Sequence, residues 1–129
     1  MGLVNIPPGE IIDRISILKV KSEMMPDLRS LLAEEVLPLY EALKDISQIR
    51  IAFYREKLYT LNLGQWAENE KIFKIEETGE PMKIKDTMEV CRAIFAAHRM
   101  NKERIEWKNK ANAEFGSTIR EAKSFARAV

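Results

Sequence analysis

Residues 7–23 read PPGEIIDRISILKVKSE, and this stretch decides the fold because Pro7 and Pro8 open it and Pro26 follows three residues after its end. A proline in the first turn of a helix is tolerated, since the N–H at that position has no intrahelical partner. At the other end, Pro26 pushes Met25 out of helical geometry. The sequence therefore predicts a first helix that runs from about Pro8 to Met24.

The apolar residues of this helix fall on two sides when they are placed at about 100° per residue. One broad side carries Ile11, Ile12, Ile15, Leu18 and Met25, with Ser22 in its middle and Lys19 at its edge. The roughly opposite side carries Ile17, Val20 and Met24, with Asp13 among them. A helix that is apolar on two sides is usually buried on both. We therefore expect the first helix to lie at the centre of a bundle.

Asp13 then needs a partner, because a carboxylate removed from water must be paired or protonated. On the predicted fourth helix, Asn101, Arg104 and Lys108 share one face, with Asn112 on its edge. The guanidinium fork of Arg104 suits a carboxylate or a phosphate. Two interpretations stay open. The favoured one is a structural ion-pair network, and the other is an anion-binding site. The residues of that site would be Asp13, Lys21, Asn101, Arg104, Lys108 and Asn112.

The second helix is predicted to start after an N-cap at Asp27 and to reach about Asn62. Pro38 interrupts it and should cause a bend or a short break, because proline lacks the N–H and clashes with the previous turn. The third helix is predicted from Gln65 to Thr78, with Gly79 as the residue that follows its end.

The fourth helix is predicted from just after Pro81 to about Phe115, and a short helical segment follows Gly116, with Ser117 as its cap. No stretch alternates apolar and polar residues as a strand does. Short connections favour antiparallel neighbours. The predicted fold class is all-α, one domain over residues 1–129, an antiparallel helical bundle of four main helices plus the C-terminal segment.

An apolar stripe is predicted to be the packing face of the fourth helix. Its residues are Met88, Cys91, Phe95, His98 and Ile105, at spacings of 3, 4, 3 and 7. On this basis His98 is a core or boundary histidine, and Cys91 is a small hydrophobic residue. Trp66 and Trp107 are interpreted as packing residues rather than stacking platforms.

The composition limits the possible functions of this chain of 129 residues. Lys and Arg number 21 against 20 Asp and Glu, so there is no whole-domain field for nucleic acid. One Cys and one His cannot form a structural zinc site or a di-iron site, so we expect no metal and no cofactor. The first residues have neither the basic start nor the apolar stretch of a signal peptide, and no apolar run reaches 18 residues, so we expect no signal peptide, no membrane span and a cytoplasmic location.

Four stretches of the chain together resemble the bacterial and phage domain-of-unknown-function family DUF6165. They are residues 7–23, the segment at Trp66, the Asn101-Lys102-Glu103-Arg104 run with Lys108 and Asn112, and a C-terminal motif. The motif residues are Gly116, Ser117, Glu121, Lys123 and Ser124. The chain departs from the family pattern at Lys102, Ala122 and Phe125. The resemblance implies no established activity, and it implies a loose link to glycosyl transfer and surface polysaccharide.

These observations favour a non-enzymatic interaction or accessory module that forms a homodimer or binds a protein partner. Two long helices carry more apolar length than one short bundle needs. The alternative is an anion or phosphosugar site, or an enzyme, built on Asp13, Arg104 and Lys108. A faint resemblance of residues 11–23 to the first helix of all-helical chorismate mutases would add Arg14 and Lys21. We expect no nucleic acid or membrane as a partner.

Overall fold

The computed structural model describes residues 6–79, 81 and 83–115, and these residues form four α-helices. They are α1 (Pro8–Met24), α2 (Arg29–Ala42), α3 (Gln48–Glu77) and α4 (Ile84–Phe115). The helices pack against each other, which confirms the predicted all-α fold. The predicted C-terminal segment and the motif Gly116, Ser117, Glu121, Lys123 and Ser124 lie outside the described residues.

The first helix has the predicted bounds, Pro8–Met24, and the predicted central position. Met25 leaves helical geometry with φ −127° and ψ 71°. α1 contacts α2, α3 and α4, so it is covered from several directions. Its residues Ile11, Ile12 and Ile15 pack in one core with Leu39, Leu43, Ile51, Tyr54, Leu58 and Ala111. The broad apolar side of α1 thus packs in the core, and on the opposite side Asp13 and Val20 are buried whereas Met24 is exposed.

Contacts near the helix ends give the directions of the helices. Arg50 near the start of α3 binds Glu114 near the end of α4, whereas Gln65 further along α3 binds Ala97. α3 and α4 are therefore antiparallel. The start of α1 lies beside the last turns of α4, because Gly9 binds Asn112 and Asp13 binds Arg104.

The break between the second and third helices lies elsewhere than predicted. α2 continues through Pro38 and ends at Ala42, and α3 begins at Gln48, with the Ser47 hydroxyl accepting a hydrogen bond from the Arg50 N–H. α3 then runs without a break through Asn62-Leu63-Gly64, where the sequence predicted a helix boundary. That prediction was wrong because tertiary contacts to α1 and α4 hold these residues in helical geometry.

Two further predictions concern helix ends. The N-cap prediction for Asp27 was wrong, because Asp27 lies in a 3₁₀ turn, Pro26–Leu28, and α2 starts after Leu28 without a side-chain cap. The prediction for Gly79 is confirmed, because this glycine follows α3 with φ +65°. A residue with a Cβ rarely adopts that angle, so glycine suits the end of this helix.

α3 and α4 are much longer than α1. With 30 and 32 residues they extend about 45 and 48 Å, against about 26 Å for the 17 residues of α1, at about 1.5 Å per residue. Residues 65–77 of α3 and 84–100 of α4 therefore extend as a pair of helices, and we call this pair the arm. Within the arm, Ala93 is the one buried residue. No helix in the described part of the chain is long and apolar enough to cross a membrane.

Candidate functional site

Asp13 and Arg104 form the centre of a buried polar cluster. The Asp13 side chain lies on α1 in the second apolar strip, and the residue is 1% exposed. Arg104 approaches it from α4, with Nη2 donating to Oδ2 at 2.6 Å and Nε donating to Oδ1 at 3.3 Å. This is the two-pronged geometry in which a guanidinium binds a carboxylate most strongly.

The remaining groups of Arg104 are also engaged. Its Nη1 donates to Gln65 Oε1 on α3 at 3.1 Å and to Asn101 Oδ1 on α4 at 3.2 Å. The side chain is 19% exposed. Arg104 thus links α1, α3 and α4, and its charge is directed at Asp13.

Asn62 of α3 completes the cluster from the other side of Asp13. Its Nδ2 donates to Asp13 Oδ1 at 3.0 Å and to Ser16 Oγ at 2.7 Å. The Ser16 hydroxyl donates to the backbone carbonyl of Asp13 at 2.7 Å. Sequence reasoning missed Asn62 because it interpreted the Asn-Leu-Gly stretch as a turn. The available signal was the spacing of Asn62 from Leu58 and Tyr54, which places it on the buried face of α3.

Lys108 and Asn112 bind the first turn of α1. Lys108 Nζ forms a close ion pair with Glu10 and lies 4.0 Å from Asp13 Oδ2. Asn112 Oδ1 accepts a hydrogen bond from the backbone N–H of Gly9 at 2.7 Å. These contacts fix the start of α1 against the last turns of α4.

The structure therefore brings together five of the six residues predicted for an anion site. They are Asp13, Asn101, Arg104, Lys108 and Asn112. Lys21 is exposed and lies at a neighbouring groove of about 210 Å³, which Trp66 and Arg104 also line. Trp66 is half-buried and donates from Nε1 to Glu70. Within the cluster, the cations are paired with the carboxylates of α1, as in a structural ion-pair network.

A second polar cluster joins the start of α3 to the end of α4. Arg50 donates from Nε and Nη2 to the two carboxylate oxygens of Glu114, at 2.8 and 2.7 Å, and Tyr54 Oη donates to the same carboxylate at 2.8 Å. The hydrogen bonds from Arg50, and then from Tyr54, lower the pKa of Glu114 to about 2. Trp107 packs edge-on against Phe53 and Tyr54, as expected of a packing residue.

The apolar stripe of α4 is exposed. We call it the outer stripe, and it consists of Ile84, Met88, Cys91, Phe95, His98 and Ile105. Phe95 is 63% exposed and Met88 is 51% exposed. The prediction that this stripe packs within the bundle was wrong. α4 instead faces α3 with a stripe of smaller residues that includes Ala93, since Ala93 and Phe95 lie about 160° apart around the helix.

The described residues contain no group of three His, Cys, Asp or Glu side chains that could hold a metal ion. Cys91 is a free, exposed thiol, and His98 is likewise exposed on the outer stripe. Comparison of the chain with protein-family models, with curated proteins and with solved structures found no match. The resemblance to DUF6165 and the link to polysaccharide systems therefore stay predictions.

Proposed function

We propose that this protein is a non-enzymatic interaction module that pairs with a second copy of itself through the outer stripe of α4. The observation that carries the proposal is the exposure of the outer stripe, which lies about 160° around α4 from the buried Ala93 at Phe95, although Phe95 also borders a groove between α3 and α4. Large exposed apolar patches of this kind mark protein interaction sites.

The spacing of the outer stripe fits another helix. From Ile84 the stripe advances by 4, 3, 4 and 3 residues to His98 and then by 7 to Ile105. This is the heptad spacing with which helices interlock in coiled coils. At about 1.5 Å per residue the stripe is about 32 Å long. That length suits a helix–helix interface.

The charges beside the outer stripe favour a second copy as the occupant. On one flank, Lys85 and Arg92 lie toward the start of α4, whereas Glu103 and Glu106 lie toward its end. An antiparallel pair of α4 helices sets Lys85 and Arg92 of one copy toward Glu103 and Glu106 of the other, while Glu89, Arg99 and Lys102 add charges of both signs beside the same stripe. A two-fold interface uses the same surface on both copies, so such self-complementarity is what it requires.

The buried polar cluster has a structural role in this proposal. The bidentate pair between Arg104 and Asp13 and the pair between Lys108 and Glu10 commit the two cations to α1. The cluster then fixes α1 against α4, and α4 carries the outer stripe. The single cysteine, Cys91, suits a reducing compartment, so we expect the module to act in the cytoplasm.

The test is the molar mass in solution, measured by light scattering over a range of protein concentrations. We expect wild type to form a dimer and the double variant Met88→Glu, Phe95→Glu to be monomeric with an unchanged helical spectrum. The matched control is Phe73→Glu, because Phe73 is 58% exposed on α3 and lies outside the outer stripe. This variant should dimerise like wild type. A wild-type chain that stays monomeric at high concentration rules out the dimer.

A charge swap tests whether the partner is a second copy in antiparallel orientation. Arg92→Glu should weaken the dimer, because it places like charges opposite each other. Combining it with Glu103→Arg and Glu106→Arg should restore the dimer. If the combined variant is as weak as the single one, the antiparallel arrangement is wrong.

The alternative function is binding of an anion or a phosphosugar. It is supported by the groove of about 210 Å³ beside Lys21, Trp66 and Arg104. Phosphate and nucleotide sugars can be tested by thermal shift, since a ligand at a hundredfold excess over its Kd stabilises a protein by about 2.7 kcal/mol. A shift with wild type that is lost in Lys21→Met would favour this alternative.

A further inference from the structure

A groove of about 440 Å³ lies between α1 and α2 and reaches α3. Leu18, Leu32 and Val36 line its walls, and the buried Ile15 lines its base. Pockets for small molecules have volumes of about 300–1,000 Å³ and are lined mainly by apolar side chains with a few polar groups. The groove has these properties, and it lies apart from both the buried polar cluster and the outer stripe.

Arg55 of α3 supplies the main polar group of the groove. Its Nη1 donates to the hydroxyl of Tyr40 on α2 at 2.8 Å, which holds the guanidinium at the groove. Its Nε is buried, yet no acceptor among the described residues lies within hydrogen-bond distance. The nearest carboxylate oxygen, on Glu56, is 3.9 Å away. A buried N–H without an acceptor is unfavourable, so a shift of the Arg55 side chain that brings this N–H to a ligand oxygen in the groove would be stabilising.

The charges around the groove are positive. Lys19, Arg29 and Arg55 line it, and none of the described lining residues is acidic. Lys19 and Arg55 are both partly neutralised by Glu56, whose Oε1 lies 3.5 Å from Lys19 Nζ and 3.9 Å from Arg55 Nε. Arg29 makes no ion pair with any described residue and is exposed. The groove thus combines an apolar base with excess positive charge.

We propose that this groove binds a small amphipathic anion, with its apolar tail against Leu18, Leu32 and Val36 and its anionic head on Arg55. A small shift of the Arg55 side chain on binding then gives its Nε the acceptor that it lacks. A carboxylate and a phosphate head share the chemistry that a guanidinium recognises. The tail buries the apolar surface of these side chains, and this burial supplies the rest of the binding affinity.

Calorimetry on the full chain tests the proposal with four probes. Decanoate and decyl phosphate carry both parts of the proposed ligand, 1-decanol carries the tail without the charge, and acetate carries the charge without the tail. We expect saturable binding of at least one of the two amphipathic anions, and binding of 1-decanol and acetate at least tenfold weaker. The stronger of the two anions identifies the preferred head.

Two variants and one control locate the site. Arg55→Met removes the charge, and Ala33→Phe fills the groove without changing Arg55. Each should weaken binding at least tenfold. The control, Lys85→Met, also removes one positive charge, but from an exposed position on the arm, and it should bind like wild type.

A measurement on wild type keeps the proposal testable if a variant does not fold. Methyl NMR should show shifts at Leu18, Leu32 and Val36 when decanoate or decyl phosphate is added. The proposal is overturned if neither anion binds saturably, if 1-decanol binds as tightly as both, or if the methyl shifts lie elsewhere.

Discussion

The backbone N–H of Gly9 in α1 donates to the side-chain oxygen of Asn112 in α4 at 2.7 Å, which joins residues 103 positions apart. The two helices are close here, since a Cβ on Gly9 would lie 2.2 Å from the backbone carbonyl oxygen of Lys108. Gly9→Ala should therefore lower the free energy of unfolding by about 1–3 kcal/mol, because the helices must move apart. Urea unfolding monitored by circular dichroism measures this loss in the free energy of unfolding.

Gly64→Ala is the matched control. Its Cβ would also be crowded, at 2.6 Å from the sulfur of Met100, but that sulfur belongs to a flexible side chain that can move. Alanine in a helix interior is favoured over glycine by about 1 kcal/mol, so this variant should be neutral or more stable. Equal destabilisation of the two variants would contradict the close approach at Gly9.

Arg104→Met should be among the most damaging single changes in the chain. It leaves the Asp13 carboxylate buried without its cation, which lowers the free energy of unfolding by about 3–5 kcal/mol. Adding Asp13→Asn should recover part of the loss, because it removes the unpaired charge. The control Arg14→Met alters an exposed pair with Glu10 and should change stability by less than about 1 kcal/mol. Additive losses in the double variant would contradict the pairing.

Local sequence signals predicted the bounds of α1 and the start of α4, because the prolines there act as expected. The same signals failed at Asn62 and Gly64, where a turn-like stretch continues as helix. Asn62 is held by Asp13 and Ser16, and Gly64 packs against Met100. These partners are 46 or more positions away from Asn62 and 36 from Gly64, so no local pattern contains them.

The candidate cluster was predictable in part. Asp13 was predicted to need a cationic partner because its carboxylate lies in an apolar strip. Arg104 and Lys108 were proposed as partners because they share one face of α4. The face of α4 that packs against α3 was not predictable, because the helix has two apolar stripes. The larger residues, such as Phe95, favoured the outer stripe as the packing face. Small residues such as Ala93 allow the closer contact with α3. Periodicity locates both apolar faces but does not show which of them allows the closer packing.

Stability should depend on Glu114 at acid pH. The pKa of Glu114 is about 2 in the folded chain, below its ordinary value of 4.5, because Arg50 and Tyr54 donate hydrogen bonds to the carboxylate. The unfolded state therefore binds more protons between these two values, and stability contributed by Glu114 is lost as the pH falls through this window. We expect the melting temperature of wild type to decrease more than that of Glu114→Gln between pH 5 and pH 2.

The control for this pH dependence is Glu41→Gln. Glu41 pairs with Lys44 on an exposed surface, so its removal should leave the wild-type pH profile unchanged. The ion pair would not control the acid transition if wild type and Glu114→Gln lost stability in parallel.

Cys91 offers a direct readout of the proposed dimer, because its exposed thiol lies on the outer stripe between Met88 and Phe95. Pairing of two α4 helices would cover the thiol, so its rate of reaction with a thiol reagent should fall as the protein concentration rises through the dimer Kd. The Met88→Glu, Phe95→Glu variant should react at one fast rate at every concentration. The Phe73→Glu variant should follow wild type. A wild-type rate that is fast and independent of concentration, in samples that light scattering shows to be dimeric, would mean that the copies meet through another surface.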